Sequence, residues 1–164
     1  MHNYHKSFDS KHGKILIFWK LKNGIPKLSR IYLKTKASTA TKSTELSCPI
    51  VDDTIDNMLS YFLGKNISFS LNIIDLDICS GFQKMVLLNQ FIIPGGQVTT
   101  YKSIANQIKR PDSVRAVGNA LANNPFPIII PCHRTVKSDG TPGGYQGGTQ
   151  MKAQLLEMEG IEFS

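Results

Sequence analysis

Three adjacent residues carry the side chains best suited to chemistry in this sequence. An apolar run at residues 128–130 leads through Pro131 into Cys132, His133 and Arg134. A cysteine attacks as its thiolate, and neighbouring imidazole or cationic groups raise the thiolate population by lowering the pKa of the thiol. Cys132 is therefore predicted to be a reactive nucleophile.

The other two cysteines, Cys48 and Cys79, lack such neighbours and are interpreted as small hydrophobic side chains. Three cysteines leave at least one free thiol, which suits a reducing compartment. No apolar run approaches the roughly 20 residues of a membrane helix, and residues 1–6 lack the apolar core of a secretory signal. The sequence therefore predicts a cytoplasmic protein, or a nuclear one in a eukaryote, with no membrane partner.

The charge of the chain is strongly positive and unevenly distributed. The formal net charge is +7 and the pI is about 9.4. Residues 79–137, which surround the predicted nucleophile, contain seven lysine and arginine residues against a single acid, Asp112. A basic segment of this kind favours a polyanionic partner such as a nucleic acid.

A β-hairpin is predicted near the N-terminus. Apolar residues recur across residues 13–21 and 25–33, and Asn23 and Gly24 stand between them. These two residue types readily adopt the positive φ values that a two-residue hairpin turn requires. The pattern therefore predicts two antiparallel strands.

The rest of the first half predicts a small α+β unit. Residues 35–49 are rich in threonine, serine and lysine and indicate a loop. A helix is predicted to open at Asp52, and alternating apolar residues predict a further strand at residues 67–73. Nothing in residues 1–78 has catalytic spacing, so this part is predicted to be a support domain.

The second half, residues 79–164, is predicted to be mainly helical. Ser80 and Gln83 have the spacing of a capping box, and Thr100 can cap a short helix at residues 101–108. A break at Pro111 precedes another helix at residues 114–122. Two short helices joined by a few residues resemble a helix-turn-helix, although many helical hairpins do not bind DNA.

The helix at residues 114–122 contains an unusual number of small residues. Val114, Val117 and Leu121 share one face and are predicted core contacts. Gly118 lies in the middle, where glycine costs about 1 kcal/mol relative to alanine. Either close helix packing or close approach to a nucleic-acid groove would explain the small residues, and the basic surroundings favour the groove.

A glycine-rich loop and a final helix follow the predicted nucleophile. Residues 138–148 include five glycines and are predicted to shape a pocket wall. Met151, Leu155 and Leu156 predict the inward face of the helix. Glu159 lies one turn beyond Leu155, where spacing alone favours a solvated carboxylate.

These motifs together resemble the O6-alkylguanine-DNA alkyltransferases, also called methylated-DNA–protein-cysteine methyltransferases. The resemblance covers about residues 79–163, whereas residues 1–78 match only in size and in their layout of strands and helices. The matching motifs are Phe82-Gln83, Ile93-Pro94-Gly95-Gly96, Thr99-Thr100-Tyr101 with Ile104-Ala105, Arg115-Ala116-Val117-Gly118, Asn124-Pro125, Ile130-Pro131-Cys132-His133-Arg134, Ser138-Asp139-Gly140, Gly144-Tyr145 with Gly147-Gly148, and Leu155-Leu156 with Glu159-Gly160.

The resemblance implies DNA repair by a single-turnover methyltransferase. An alkyl group would pass irreversibly from guanine O6, and also from thymine O4, to Cys132. A relay of Cys132, water, His133 and Glu159 would generate the thiolate, and Asn124 would brace the cysteine loop. Tyr101 would donate a proton to guanine N3 as the base leaves.

The resemblance also implies a fold and a mode of DNA binding. The fold would be α/β (α+β), with a ribonuclease H-like N-terminal domain and a winged helix-turn-helix in the C-terminal domain. The second helix of that motif would enter the minor groove, and one arginine would fill the stack behind a flipped nucleotide. The implied DNA contacts are Thr100, Arg115, Ala116, Gly118, Asn119 and Arg134, with Arg115 as the stack-filling residue.

The implied base pocket differs from the family pattern at two positions. Its residues would be Leu121, Thr135, Tyr145 and Gln146. Gln146 stands where members often have serine or arginine, and Thr135 stands where valine is common, so either could alter which alkyl groups fit. The protein is expected to act as a monomer on double-stranded DNA without a cofactor.

No metal is expected, although some relatives bind zinc through their N-terminal half. The candidate ligands there are Cys48, His2, His5 and His12, and they lack a recognisable ligand spacing.

Two other classes of function deserve comparison. A related family binds alkylated DNA without repairing it, but it lacks the cysteine, so Cys132 argues against this reading. A thiol hydrolase or a helix-turn-helix regulator is the second alternative. A hydrolase needs an oxyanion hole and a route to regenerate the thiol, and the sequence indicates neither beyond the glycine loop.

Overall fold

A computed structural model describes residues 4–34 and 44–162. The chain divides into two compact units, Met1–Ile78 and Cys79–Ser164. The fold is of the mixed α/β type, since the first unit is built mainly on a sheet and the second mainly on helices. Within the described residues, no helix is long and apolar enough to cross a membrane.

The first unit contains a four-stranded sheet in the order β3-β2-β1-β4. Its strands are β1 (Tyr4–Ser10), β2 (Gly13–Lys22), β3 (Ile25–Tyr32) and β4 (Thr44–Glu45). The predicted hairpin is confirmed, because β2 and β3 pair in antiparallel fashion and Asn23 and Gly24 have φ values of 52° and 77°. These are the left-handed values that a tight two-residue turn needs.

Strand β1 was not predicted, because its sequence is polar. It pairs with β2 from Tyr4 opposite Trp19 to Ser10 opposite Gly13. Ser10 closes the turn, since its hydroxyl donates to the Gly13 carbonyl at 2.8 Å and accepts from the His12 amide at 3.1 Å. Pairing to an apolar neighbour, rather than its own pattern, makes this segment a strand.

The helix of this unit, α1 (Pro49–Phe62), begins three residues before the predicted Asp52. Proline at the first helical position is preorganised for a helix start, which explains the earlier beginning. The predicted loop at residues 35–49 is wrong at its end, where β4 and the start of α1 lie. Residues 35–43 of that loop lie outside the described residues.

The strand predicted at residues 67–73 is also wrong. This segment is irregular and ends in a short 3-10 turn at Leu71–Ile73. The Ser70 hydroxyl accepts a hydrogen bond from the Asn72 amide and so favours the turn. The next residue, Ile74, forms an isolated parallel bridge to Leu28. Alternating exposure is present, but a partner strand is not.

The second unit contains four helices and a two-stranded parallel sheet. The elements are α2 (Gly81–Phe91), β5 (Thr99–Thr100), α3 (Tyr101–Gln107), α4 (Val114–Ala122), β6 (Thr135–Val136) and α5 (Thr149–Met158). Ser80 and Thr100 both cap their helices as predicted, but the Gln83 side chain donates to the Ala120 and Asn123 carbonyls and does not complete a capping box. The Ser80 side chain accepts from the Gln83 amide at 3.1 Å, and the Thr100 side chain accepts from the Ser103 amide at 3.0 Å.

Helix α4 has the predicted bounds, but its buried face differs at one end. Val117, Ala120 and Leu121 are buried, whereas Val114 is 36% exposed. Val114 is the first residue of the helix and follows a 3-10 turn, so it lies at the margin of the core. The prediction of Val114 as a core contact was therefore wrong.

Helix α5 buries the predicted residues Met151, Leu155 and Leu156. It also buries Lys152 completely, which was not predicted. The helix thus carries one charged residue on its apolar face.

Candidate functional site

Cys132 begins a one-turn 3-10 helix, Cys132–Arg134, and is 7% exposed. The Cys132 amide donates to the Ile130 carbonyl at 2.8 Å, and the Arg134 amide donates to the Pro131 carbonyl at 3.0 Å. Two backbone hydrogen bonds therefore fix the turn that carries the thiol.

Asn124 ties together the chain that leads to this turn. Its Nδ2 donates to the Ile130 carbonyl at 3.0 Å, and its Oδ1 accepts from the Phe126 amide at 2.9 Å. Both hydrogen bonds are buried, and Asn124 itself is 3% exposed. The Asn124 side chain thus satisfies the buried Phe126 amide and gives the Ile130 carbonyl a second donor beside the Cys132 amide.

His133 and Glu159 form a buried pair. The His133 Nε2 lies 3.1 Å from the Glu159 Oε1, and the two side chains are 0% and 6% exposed. Glu159 is the C-cap residue that directly follows α5, and its amide donates to the Leu155 carbonyl at 3.1 Å. The solvated carboxylate that spacing alone suggested is therefore incorrect, because the chain turns Glu159 back toward the imidazole.

Arg134 binds the same carboxylate. Its Nε donates to Glu159 Oε2 at 2.9 Å, and its Nη2 donates to Glu159 Oε1 at 2.6 Å. Its Nη1 donates to the Ile93 carbonyl at 2.6 Å. The Arg134 side chain is only 14% exposed. Every nitrogen of its guanidinium is thus engaged within the second unit, and the expected contact of Arg134 with DNA stays a prediction.

Burial and neighbouring charges shift the pKa values of His133 and Cys132. Burial lowers the pKa of His133, while Glu159 opposes this shift and the Arg134 and Lys152 charges add to it. The imidazole is therefore held neutral, as a proton acceptor must be. Burial raises the pKa of the Cys132 thiol, and the Asn124 side chain and the Lys152 charge pull it back down.

Lys152 is the functional candidate that the sequence reasoning missed. Its ammonium donates to the Thr135 carbonyl at 2.6 Å and to the Gly144 carbonyl at 3.3 Å. It also lies 5.9 Å from the centre of the Tyr101 ring. Burial lowers the pKa of Lys152 to about 8, and the Cys132 charge opposes this shift. Its spacing of three and four residues before Leu155 and Leu156 could have placed it on the buried face.

A cavity of about 250 Å³ opens onto the thiol. Its lining residues are Tyr101, Gly118, Leu121, Ala122, Cys132, Gly144, Tyr145 and Gln146.

Three of the four expected base-pocket residues, Leu121, Tyr145 and Gln146, are among these lining residues. Thr135 is not. It is fully buried in β6, where its hydroxyl donates to Gln90 Oε1. The expectation that Thr135 lines the pocket is therefore corrected.

Tyr101 forms one wall of this cavity and lies against the glycine loop. A Cβ at Gly143 would lie 2.8 Å from the Tyr101 hydroxyl oxygen, and Gly143 has a φ of 78°. Both observations favour glycine at this position. Burial raises the pKa of Tyr101, and the Cys132 charge adds to the shift. The phenol is therefore kept protonated and able to donate.

The expected DNA contacts on α4 lie on its outer side. Arg115, Ala116 and Asn119 are exposed, and Gly118 and Thr100 are half-buried. A Cβ at Gly118 would meet the nearest atom, Tyr101 Cδ1, at 3.9 Å, which is an ordinary contact. Packing within the second unit therefore does not require a glycine at position 118.

Among the described residues, no three histidine, cysteine, aspartate or glutamate side chains come together in a group that could hold a metal ion. His2, one of the four candidate ligands, lies outside the described part of the chain.

Comparison with known proteins defines the class of the second unit. Residues 81–161 match the family described as 6-O-methylguanine DNA methyltransferase, DNA binding domain. A methylated-DNA–protein-cysteine methyltransferase of Methanothermobacter thermautotrophicus is 41% identical over 107 residues, covering 65% of this chain and 60% of the relative. The Shigella flexneri protein of the same name is 43% identical over 109 residues, covering 64% and 61%. The aligned parts thus span about 60% of the length of these curated relatives.

Solved structures extend the likeness over most of the chain. The structure of Mycobacterium tuberculosis OGT in complex with DNA has a TM-score of 0.80 and 30% identity, covering 96% of this chain and 93% of that one. An O6-methylguanine-DNA methyltransferase from Pyrococcus kodakaraensis, at 22% identity and a TM-score of 0.71, shares the fold. This chain therefore belongs to the methylated-DNA–protein-cysteine methyltransferase family.

Proposed function

We propose that this protein repairs DNA by one irreversible transfer of an alkyl group from guanine O6, or thymine O4, to Cys132. The observation that carries the proposal is the position of the thiol. Cys132 lines a cavity of about 250 Å³, and the imidazole that follows it is held by a buried carboxylate. Family membership supports this reading of the same residues.

Proton transfer from Cys132 precedes the attack on the alkyl group. The Cys132 proton passes through a bridging water to His133, whose imidazolium Glu159 stabilises. The thiolate attacks the alkyl carbon, a sulfur–carbon bond forms, and the carbon–O6 bond breaks with its electron pair moving into the guanine. Tyr101 donates a proton to guanine N3, so the base leaves neutral.

The DNA complex is part of the same proposal. Helices α3 and α4 would form a winged helix-turn-helix with α4 in the minor groove. Gly118 fits this placement, because packing within the second unit does not require a glycine there, and a residue without a side chain leaves room both for DNA along the helix and in the cavity that Gly118 lines. Arg115 would fill the stack behind the flipped base, and Thr100, Ala116 and Asn119 would lie along the groove.

The two units would divide the work. Residues 79–164 would bind DNA and accept the alkyl group, and residues 1–78 would support them. The sheet order β3-β2-β1-β4, in which β1 and β4 are parallel, supports a ribonuclease H-like first unit. The protein would act as a monomer without cofactor or metal, in the cytoplasm or, in a eukaryote, the nucleus.

A duplex oligonucleotide with O6-methylguanine labelled in its methyl group tests the proposal. The protein should acquire one label per molecule, on Cys132, and Cys132→Ala should acquire none. Turnover beyond one equivalent, or label on another residue, would refute single transfer. Binding of the lesion without transfer would instead identify a lesion-binding protein.

A second experiment tests the role of Arg115. Arg115→Ala should slow transfer from duplex DNA more than from a single strand, because only the duplex has a stack to refill. Lys109→Ala, which removes another exposed cation of the second unit, should weaken binding to both substrates alike. Equal slowing of both substrates by Arg115→Ala would contradict the stack-filling role.

A further inference from the structure

Gln90 on α2 has a buried side-chain amide and lies far from Cys132 in sequence. This amide contacts the residues on either side of the turn Cys132–Arg134. The side chain is 0% exposed. Its Nε2 donates to the Pro131 carbonyl at 2.8 Å, directly before Cys132. Its Oε1 accepts from the hydroxyl of Thr135, which directly follows the turn Cys132–Arg134.

A polar pair in this place has an energetic cost that calls for a reason. Gln90 and Thr135 are both fully buried, and a buried amide or hydroxyl is tolerated only when its hydrogen bonds are made. An apolar pair of similar shape would fill the same space with nothing to satisfy. Packing alone therefore does not explain why an amide and a hydroxyl occur here.

The contacts of the pair show what it holds. The Pro131 carbonyl also accepts from the Arg134 amide at 3.0 Å, the bond that closes the turn. Gln90 thus fixes the peptide from which Cys132 projects. Thr135 is held in turn through its own carbonyl, which accepts from Lys152 at 2.6 Å. Hydrogen bonds from Gln90 on α2 and from Lys152 on α5 therefore hold the residues that flank the turn.

We propose that Gln90 is a positioning residue for Cys132, acting through the Pro131 carbonyl, and that Thr135 provides the buried hydrogen-bond partner for the oxygen of the Gln90 amide. The hydrogen bond to Pro131 sets the direction of the thiol toward the alkyl carbon. Thr135 thus serves the turn and not the cavity wall. The inference rests on the proposed transfer to Cys132.

Two variants separate positioning from stability. Thr135→Val leaves Gln90 Oε1 buried without a partner but keeps the bond to Pro131, so it should lower stability and leave the transfer rate nearly unchanged. The double variant Gln90→Leu/Thr135→Val removes both polar groups and the bond to Pro131. It should recover most of the lost stability, yet transfer about tenfold more slowly than the parent, because the thiol is no longer aimed.

The measurements are single-turnover transfer from an O6-methylguanine duplex, affinity for that duplex, and urea unfolding. The affinity should stay constant in both variants, since only the transfer step is affected. Asn89→Ala is the matched control, because that amide lies on the same helix and donates only to the Met85 carbonyl of its own turn at 2.9 Å. It should leave the transfer rate unchanged.

Backbone amide hydrogen exchange gives a readout that does not depend on DNA. The Arg134 amide should exchange about tenfold faster in the double variant than in Thr135→Val, because the carbonyl that accepts it is no longer held. If the parent transfers no label, the proposed function fails, and the exchange measurement still tests the positioning. A double variant with the parent's transfer rate and exchange, or a rate that follows stability across the variants, would overturn the inference.

Discussion

Lys152 should make the free energy of unfolding rise with pH in the alkaline range. A lysine that forms an ion pair with a carboxylate on the surface would have the opposite effect. Its side chain is fully buried, and burial lowers its pKa from 10.5 to about 8. A tenfold change in proton affinity corresponds to about 1.4 kcal/mol. Keeping Lys152 protonated in the folded protein at neutral pH therefore costs about 3 kcal/mol relative to the unfolded chain. The two carbonyl acceptors, Thr135 and Gly144, offset part of the total cost of burial.

The sign follows from proton binding. Between pH 8 and pH 10.5 the unfolded chain holds the Lys152 proton and the folded chain has lost it. The unfolded state then binds more protons, so the free energy of unfolding rises with pH through this window. Lys152→Met removes the group and should remove the rise. The free energy of unfolding in urea should be measured at pH 7 and at pH 10. The rise between these two pH values should be smaller in the variant than in its parent by up to about 3 kcal/mol.

The comparison is best made in a Cys132→Ala background, because the charge of the neighbouring thiolate raises the pKa of Lys152 and opposes the effect of burial. Lys102→Met, at an exposed position of α3, is the control and should keep the pH dependence of its parent. The reasoning would be refuted if Lys152→Met differed from its parent by the same amount at both pH values.

Three further results are expected. Arg134→Met should raise the pKa of His133, since the Arg134 charge lowers it; the low-pH limb of the transfer rate should move to higher pH, and an unmoved limb would exclude this influence. Thr100→Ala removes the cap of α3 and should lower the free energy of urea unfolding by about 1 kcal/mol; an unchanged value would mean that the cap is not needed. Tyr101→Phe should slow transfer about a hundredfold with little effect on DNA affinity; an equal loss of affinity would point to a binding role.

Local rules of sequence were sufficient where one element and its neighbours decide the structure. The Asn23-Gly24 turn and the caps at Ser80 and Thr100 depend on residues within a few positions of one another. Strand β1 and residues 67–73 depended on something else. The first gained a partner strand despite a polar sequence, and the second has an alternating pattern but lacks a partner. Pairing between segments is a tertiary property that periodicity does not contain.

The candidate site shows the same limit more sharply. The spacing of Cys132 and His133 was visible in sequence, but Glu159 lies 26 residues from His133 and reads as a solvated end of a helix. Gln90 lies 41 residues from Pro131 and had no signal in its own surroundings. The family resemblance supplied Glu159, because a motif carries positions that spacing cannot. Gln90 and Lys152 lay outside the matching motifs, so only the structure could place them against the residues that flank the cysteine turn.

Asn124 offers a direct test of how the cysteine loop is held. Asn124→Ala would leave the Phe126 amide buried and without its present partner, whereas the Ile130 carbonyl would still accept from the Cys132 amide. One buried group left unsatisfied costs about 1–3 kcal/mol, so urea unfolding should show a loss of about 1–3 kcal/mol. Asn123→Ala is the matched control, since the neighbouring amide is exposed and donates only to the Asn119 carbonyl. Because Asn124 also lowers the pKa of Cys132, only its replacement should shift thiol alkylation by iodoacetamide to higher pH. Equal destabilisation by the two variants, with no shift in alkylation, would show that Asn124 is one loop amide among others.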